Sequence, residues 1–217
     1  MAVPTTPSGM SAPGAGASAR PPTRPDDRTP ERYSPAPPSL GTFGMVVFLF
    51  ALGVLFTASL VAYLFIRARA AAWPPPGSPP LPAGLWASTG IILLCSVSIH
   101  TALRSVRRDR QGTLLGALLI TLLLGLVFLV SQAVNWYWLM AIQGGVRNSL
   151  YLYTFYCLTG LHALHVIGGL ALLVVVSAKA ATGRYSPAFY PGVRYAAMYW
   201  HFLDVVWLVM FVLIFLA

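Results

Sequence analysis

Five long apolar runs, almost free of charge, constrain what this chain can fold into. They lie near Phe43–Ile66, Gly84–Leu103, Thr113–Met140, Leu150–Ala178 and Tyr195–Leu216. Each reaches the roughly 20 residues needed to cross the hydrocarbon core of a bilayer. Lipid offers no hydrogen-bond partners, so a spanning backbone must pair its own groups, which a single segment does only as a helix. The expectation is an all-α integral membrane bundle of five transmembrane helices. Charged residues make up 9% of the chain. A soluble domain carries about a quarter, so a soluble enzyme is excluded. Basic residues outnumber acidic ones, 14 to 5. They are scattered through the links, as in loops that meet anionic headgroups, and not gathered into a nucleic-acid surface.

The first 42 residues are rich in Pro, Ala and Arg and have no apolar period. Such a segment buries too little surface to offset its ordering entropy, and is expected to be a disordered cytoplasmic tail. The five-helix domain is expected over 43–217. Orientation follows from the basic residues. Arg20, Arg24, Arg28, Arg32, Arg104, Arg107, Arg108, Arg110, Lys179, Arg184 and Arg194 fall on one side, and Arg67, Arg69 and Arg147 on the other. The positive-inside rule then puts the N-terminus in the cytoplasm and the C-terminus outside. Cys95 and Cys157 both lie in apolar spans, where they read as small buried hydrophobes.

Against this apolar background the ionisable groups stand out. His162 and His165 lie three apart in the fourth span; His201 and Asp204 lie three apart in the fifth. Each pair therefore shares a helix face. An ionisable group at membrane depth costs at least a few kcal/mol unless partnered. Counting about 1.5 Å per residue from Tyr195 puts His201 roughly 9 Å and Asp204 roughly 14 Å into the membrane. His165 reaches a similar depth from Lys179, so Asp204 is expected to face the fourth helix and meet His165. Gly160, Gly168 and Gly169 flank the histidines and would admit a neighbouring helix closely. Gln132 and Asn135 share a face of the third helix and read as interhelical ties; Trp136, Tyr137 and Trp138 read as interfacial anchors. Tyr156, Thr159 and Tyr199 are candidates to extend the network. Metal or haem ligation by the histidines, with His100 of the second helix, is the alternative to a hydrogen-bonded interior. A pair at i and i+3 without accompanying ligands makes an incomplete site.

The segment FYCLTGLHALHVIGG, with Thr159, Gly160, His162, His165, Val166 and Gly169, resembles a signature of the haem-copper oxidase subunit III family. YWHFLDVVWLVMF, with Tyr199, Trp200, His201, Phe202, Asp204, Val206 and Trp207, resembles the family's closing signature. Weaker matches run from Gly44 and Met45 to Tyr63 and Arg67, and through FLVSQAVNW around Gln132. Five helices correspond to the short bacterial form of a family with many seven-helix members. Two departures occur. Ala51 and Leu52 stand where the family usually has Ser-Glu, and Asn135 stands in place of a Glu.

The resemblance implies a non-redox subunit of a proton-pumping terminal oxidase in a bacterial inner membrane. Haem and copper would reside in partner subunits, with none in this chain. Subunit I would be the main partner, with subunits II and IV and a respiratory supercomplex further out. It also implies support of proton uptake, and phospholipid in a V-shaped cleft, for which Tyr63, Arg67, Trp200 and Trp207 are the candidate residues. Alternatives are an accessory subunit of a nitric oxide reductase, a small transporter and a b-type cytochrome.

Overall fold

The computed structural model describes residues 1–2, 38–78, 80–142 and 150–216. All its helices belong to one unit, Pro37–Ala217. They are α1 (Pro38–Arg69), α2 (Gly84–Arg107), α3 (Gln111–Ile142), α4 (Leu150–Ala181) and α5 (Pro191–Phe211). A π-helical turn, Val212–Leu216, continues α5 to the C-terminal end. All five helices are long and apolar enough to cross a membrane, as the apolar runs predict. Most of the expected tail and the link carrying Arg147 lie outside the described residues. Helix α1 starts at Pro38, five residues before the first apolar run. Prolines at 35 and 37 would break a helix begun earlier, whereas proline is tolerated in a first turn.

Backbone capping sets two of the turns. Helix α2 is closed beyond its C-cap, Arg108, by Asp109, whose φ of 55° is left-handed. Asp109 N–H donates to Val106 O at 3.3 Å and Arg110 N–H to Ser105 O at 3.0 Å. This is a Schellman-type stop, with an Asp in the position glycine usually takes. The chain then enters α3 at once, so α2 and α3 pack as a tight antiparallel pair. Helix α4 ends the same way through Gly183, at φ 66°, with Gly183 N–H on Ala180 O and Arg184 N–H on Lys179 O.

Helices α2, α3, α4 and α5 close a ring: α3 lies between α2 and α4, and α5 touches both α2 and α4. Helix α1 leans on α5 and, over a shorter stretch, on α4. The difference in burial is large. Half of the α5 span is buried inside the protein, but only 6% of the α1 span. Side chains with almost no exposure fill the ring, among them Ile92, Ile99, Leu118, Phe128, Leu173, Trp200 and Leu203. Since lipid is as apolar as leucine, this ring is held by close packing and interhelical hydrogen bonds, with no net hydrophobic drive.

Candidate functional site

The ionisable residues of α4 and α5 do not form one network. His162 is wholly buried and boxed by aromatic rings from three other helices. Trp207 of α5 lies 5.2 Å away between ring centroids, Phe128 of α3 5.8 Å and Phe56 of α1 6.3 Å. Neither ring nitrogen of His162 makes a hydrogen bond to a described residue. His165, one turn on, packs 5.1 Å from the Phe56 ring. Its Nδ1–H donates to the Leu161 carbonyl at 2.7 Å. The Tyr199 hydroxyl then ties α5 to α4 by donating to the His165 carbonyl at 2.9 Å.

His201 and Asp204 sit on a different side of α5. The Asp204 carboxylate is buried and lies 3.8 Å from His201 Nδ1. His201 Nδ1 is 2.9 Å from the Ser96 hydroxyl of α2. Neither oxygen of Asp204 makes a hydrogen bond to a described residue, so its link to Ser96 of α2 runs through His201. Asp204 therefore faces α2, which corrects the expectation that it faces α4 and meets His165. Residue counting along α5 says nothing of azimuth. Successive residues turn about a helix axis, and His201 and Asp204 point one way while Tyr199 points to α4. The group His162, His165, His201 and Asp204 is thus divided between an α4 box and an α2–α5 cluster.

Gln132 is buried with neither amide atom paired to protein. Asn135 does tie helices: its Nδ2 reaches Ser88 Oγ of α2 at 3.4 Å, and Ser88 Oγ is 2.8 Å from Ser131 Oγ. Another tie joins α5 to α2, where Trp207 Nε1–H donates to Thr89 Oγ1 at 3.0 Å. Sequence reasoning overlooked Ser88, Thr89 and Ser96. Their signal was there: hydroxyls in an otherwise apolar run, at positions that share a helix side.

The glycines also divide. A Cβ on Gly169 would come within 2.9 Å of the Tyr199 ring, so this glycine is needed for the α4–α5 approach. Gly160 and Gly168 have ordinary room, at 3.8 and 3.6 Å from Trp136 and Tyr199. Among those overlooked is Gly125 of α3, whose Cβ would stand 2.7 Å from Trp200.

Three of the four lipid candidates need correction. Trp200 and Trp207 are interior residues, buried by the same glycine slots and hydrogen bonds that hold the ring. Tyr63 is buried too. Its hydroxyl donates to Leu213 O at 3.3 Å, accepts from Trp73 Nε1, and is joined at Leu213 O by Arg67 Nη1 at 3.4 Å. Tyr63 and Arg67 thus clasp the end of α1 to the C-terminal π turn, whose altered register offers a carbonyl to outside donors. An apolar groove of about 780 Å³ runs along α1, from Val46 and Phe50 to Val61, with Phe202 at its side.

Among the described residues, no three His, Cys, Asp or Glu side chains converge as metal ligands. The polar groups hold helices together, and the class the fold and site define is a multi-pass helical membrane subunit. A sequence model of cytochrome c oxidase subunit III matches residues 39–217. Cytochrome c oxidase subunit 3 of Synechocystis sp. is 38% identical over 181 residues, covering 82% of this chain and 76% of the relative. The subunit 3 of Thermostichus vulcanus is 32% identical over 180 residues, covering 82% and 88%. The probable subunit 3 of Mycobacterium bovis is 32% identical over 183 residues, again covering 82% and 88%. The chain belongs to the cytochrome c oxidase subunit III family.

Proposed function

We propose that this chain is the non-redox subunit III of a haem-copper terminal oxidase in a bacterial inner membrane, with its N-terminus in the cytoplasm. The observation that carries this reading is the family match along the whole helical domain. The relatives compared are named for cytochrome c oxidase, which favours the oxidase over a nitric oxide reductase. The chain supplies no redox centre; haem and copper belong to its partners. Its part is to pack against subunit I, alongside subunits II and IV, to support proton uptake, and to hold phospholipid. Lipid acyl chains suit the apolar groove of α1.

Gentle solubilisation and mass spectrometry test the reading, with co-purifying haem- and copper-bearing chains as the expected result. Asp204→Ala sharpens it. The substitution removes the buried carboxylate beside His201 and opens the space it fills between α5 and α2. Weaker retention of the subunit and a shorter turnover lifetime are expected. Normal retention together with a normal lifetime defeats the role given to Asp204.

A further inference from the structure

The seam between α2 and α5 carries polar groups where the bilayer core would lie. The rings of His100 and His201 are 6.3 Å apart. The His201 side chain is 41% exposed, and His100 is exposed as well. His201 uses Nδ1 on Ser96. Neither its Nε2 nor either ring nitrogen of His100 makes a hydrogen bond to a described residue. His100 lies four residues, about 6 Å along the helix, from Arg104, which shares its side of α2. Helical spacing puts Leu93 and Val97 on the side of α2 that carries His100, and Val205 on the side of α5 that carries His201. These three flanking residues are exposed and apolar. The imidazoles therefore stand within a greasy strip.

Three occupants of such a strip are conceivable, and chemistry separates them. Acyl chains have no acceptor, so imidazole N–H groups would stay unpaired at a cost of several kcal/mol. A second copy would bring Arg104, which shares the His100 side of α2, against its own like charge. A different helix with an acceptor in its apolar face meets both demands. We infer that the α2–α5 seam docks a transmembrane helix of a partner subunit, which presents a carboxylate or carboxamide to the His100–His201 imidazole pair. This rests on the reading of the chain as one subunit of a larger membrane complex.

The test uses the assembled complex in native membranes. Photoreactive residues are placed at Val97 and Val205, and His100 is replaced by Leu or Asn. A covalent adduct to another subunit is expected from both photoreactive positions. His100→Leu should lower retention of the chain about three- to tenfold, the worth of one interhelical hydrogen bond in a bilayer. His100→Asn, which keeps a donor, should restore most of it. Adducts to phospholipid alone, or to a second copy, overturn the inference. So does unchanged or improved retention in His100→Leu, because leucine is the better residue against lipid. Co-purification of the unsubstituted chain with haem-bearing subunits is scored separately. It can succeed while the seam assignment fails.

Discussion

Trp200 lies in a slot cut by two glycines, one on α3 and one on α4, and Gly125→Ala is the sharpest probe of it. The added methyl would stand 2.7 Å from Trp200 Cη2 and 2.8 Å from Leu170 Cδ2. Relaxed carbon contacts are about 3.5–4.0 Å, so each neighbour must retreat by roughly 1 Å. Leu170 is half-buried and can swing aside. Trp200 cannot: its indole is 1% exposed, and the other edge already lies against Gly169, where a Cβ would be 3.5 Å from Cε2. Overpacking of this kind costs about 1–3 kcal/mol. Exchanging Gly for Ala in a helix returns up to about 1 kcal/mol. A net loss of about 1–2 kcal/mol is expected. Denaturant titration in mixed micelles, followed by helical circular dichroism, measures it. The control is Trp200→Phe, which deletes the obstructing ring edge and breaks no protein hydrogen bond, because Trp200 Nε1 has no protein partner. In that background the cost of Gly125→Ala should largely vanish, giving a coupling of about 1 kcal/mol. The slot argument is refuted if Gly125→Ala stabilises the parent protein, or costs the same with phenylalanine at position 200.

Further outcomes follow from individual contacts. Trp207→Phe removes the donor to Thr89, which stays satisfied through Leu85 O at 2.9 Å; the loss should be about 0.6–1.7 kcal/mol in the same titration. Tyr63→Phe strips one donor from Leu213 O and the acceptor of Trp73 Nε1. Amide exchange near Arg69 should then accelerate, corresponding to about 1–2 kcal/mol of lost local protection. Burial pushes the phenol of Tyr185, in the link between α4 and α5, above its ordinary value of 10.0. The folded state then holds that proton more tightly than the unfolded chain. Its contribution is whole below pH 10.0 and is lost as the pH climbs further, a decline that Tyr185→Phe should remove from a stability–pH curve.

The helices were legible from residue order because spanning length is a local property. Every apolar run became one helix, and the errors were at the ends, as where the left-handed Asp109 closes α2. Much of the site was visible as types of residue. The histidines and Asp204 were singled out because charge is expensive in hydrocarbon. Their pairing was not visible. His165 and Asp204 share a depth but look toward different neighbours, and the serines that meet α5 and α3 carry little signal alone. The tryptophans misled for a related reason. Trp200 and Trp207 read equally as lipid contacts or as core, and only the glycine slot and the Thr89 hydroxyl make them core.

The order of residues by itself determined that the chain has five helices long and apolar enough to cross a bilayer, because length and hydropathy need no neighbour. The tertiary structure alone decided which helix each group faces, since rotation of α5 between α2 and α4 is set by packing around Trp200. That rotation divides one apparent cluster into a closed aromatic box and an exposed imidazole seam.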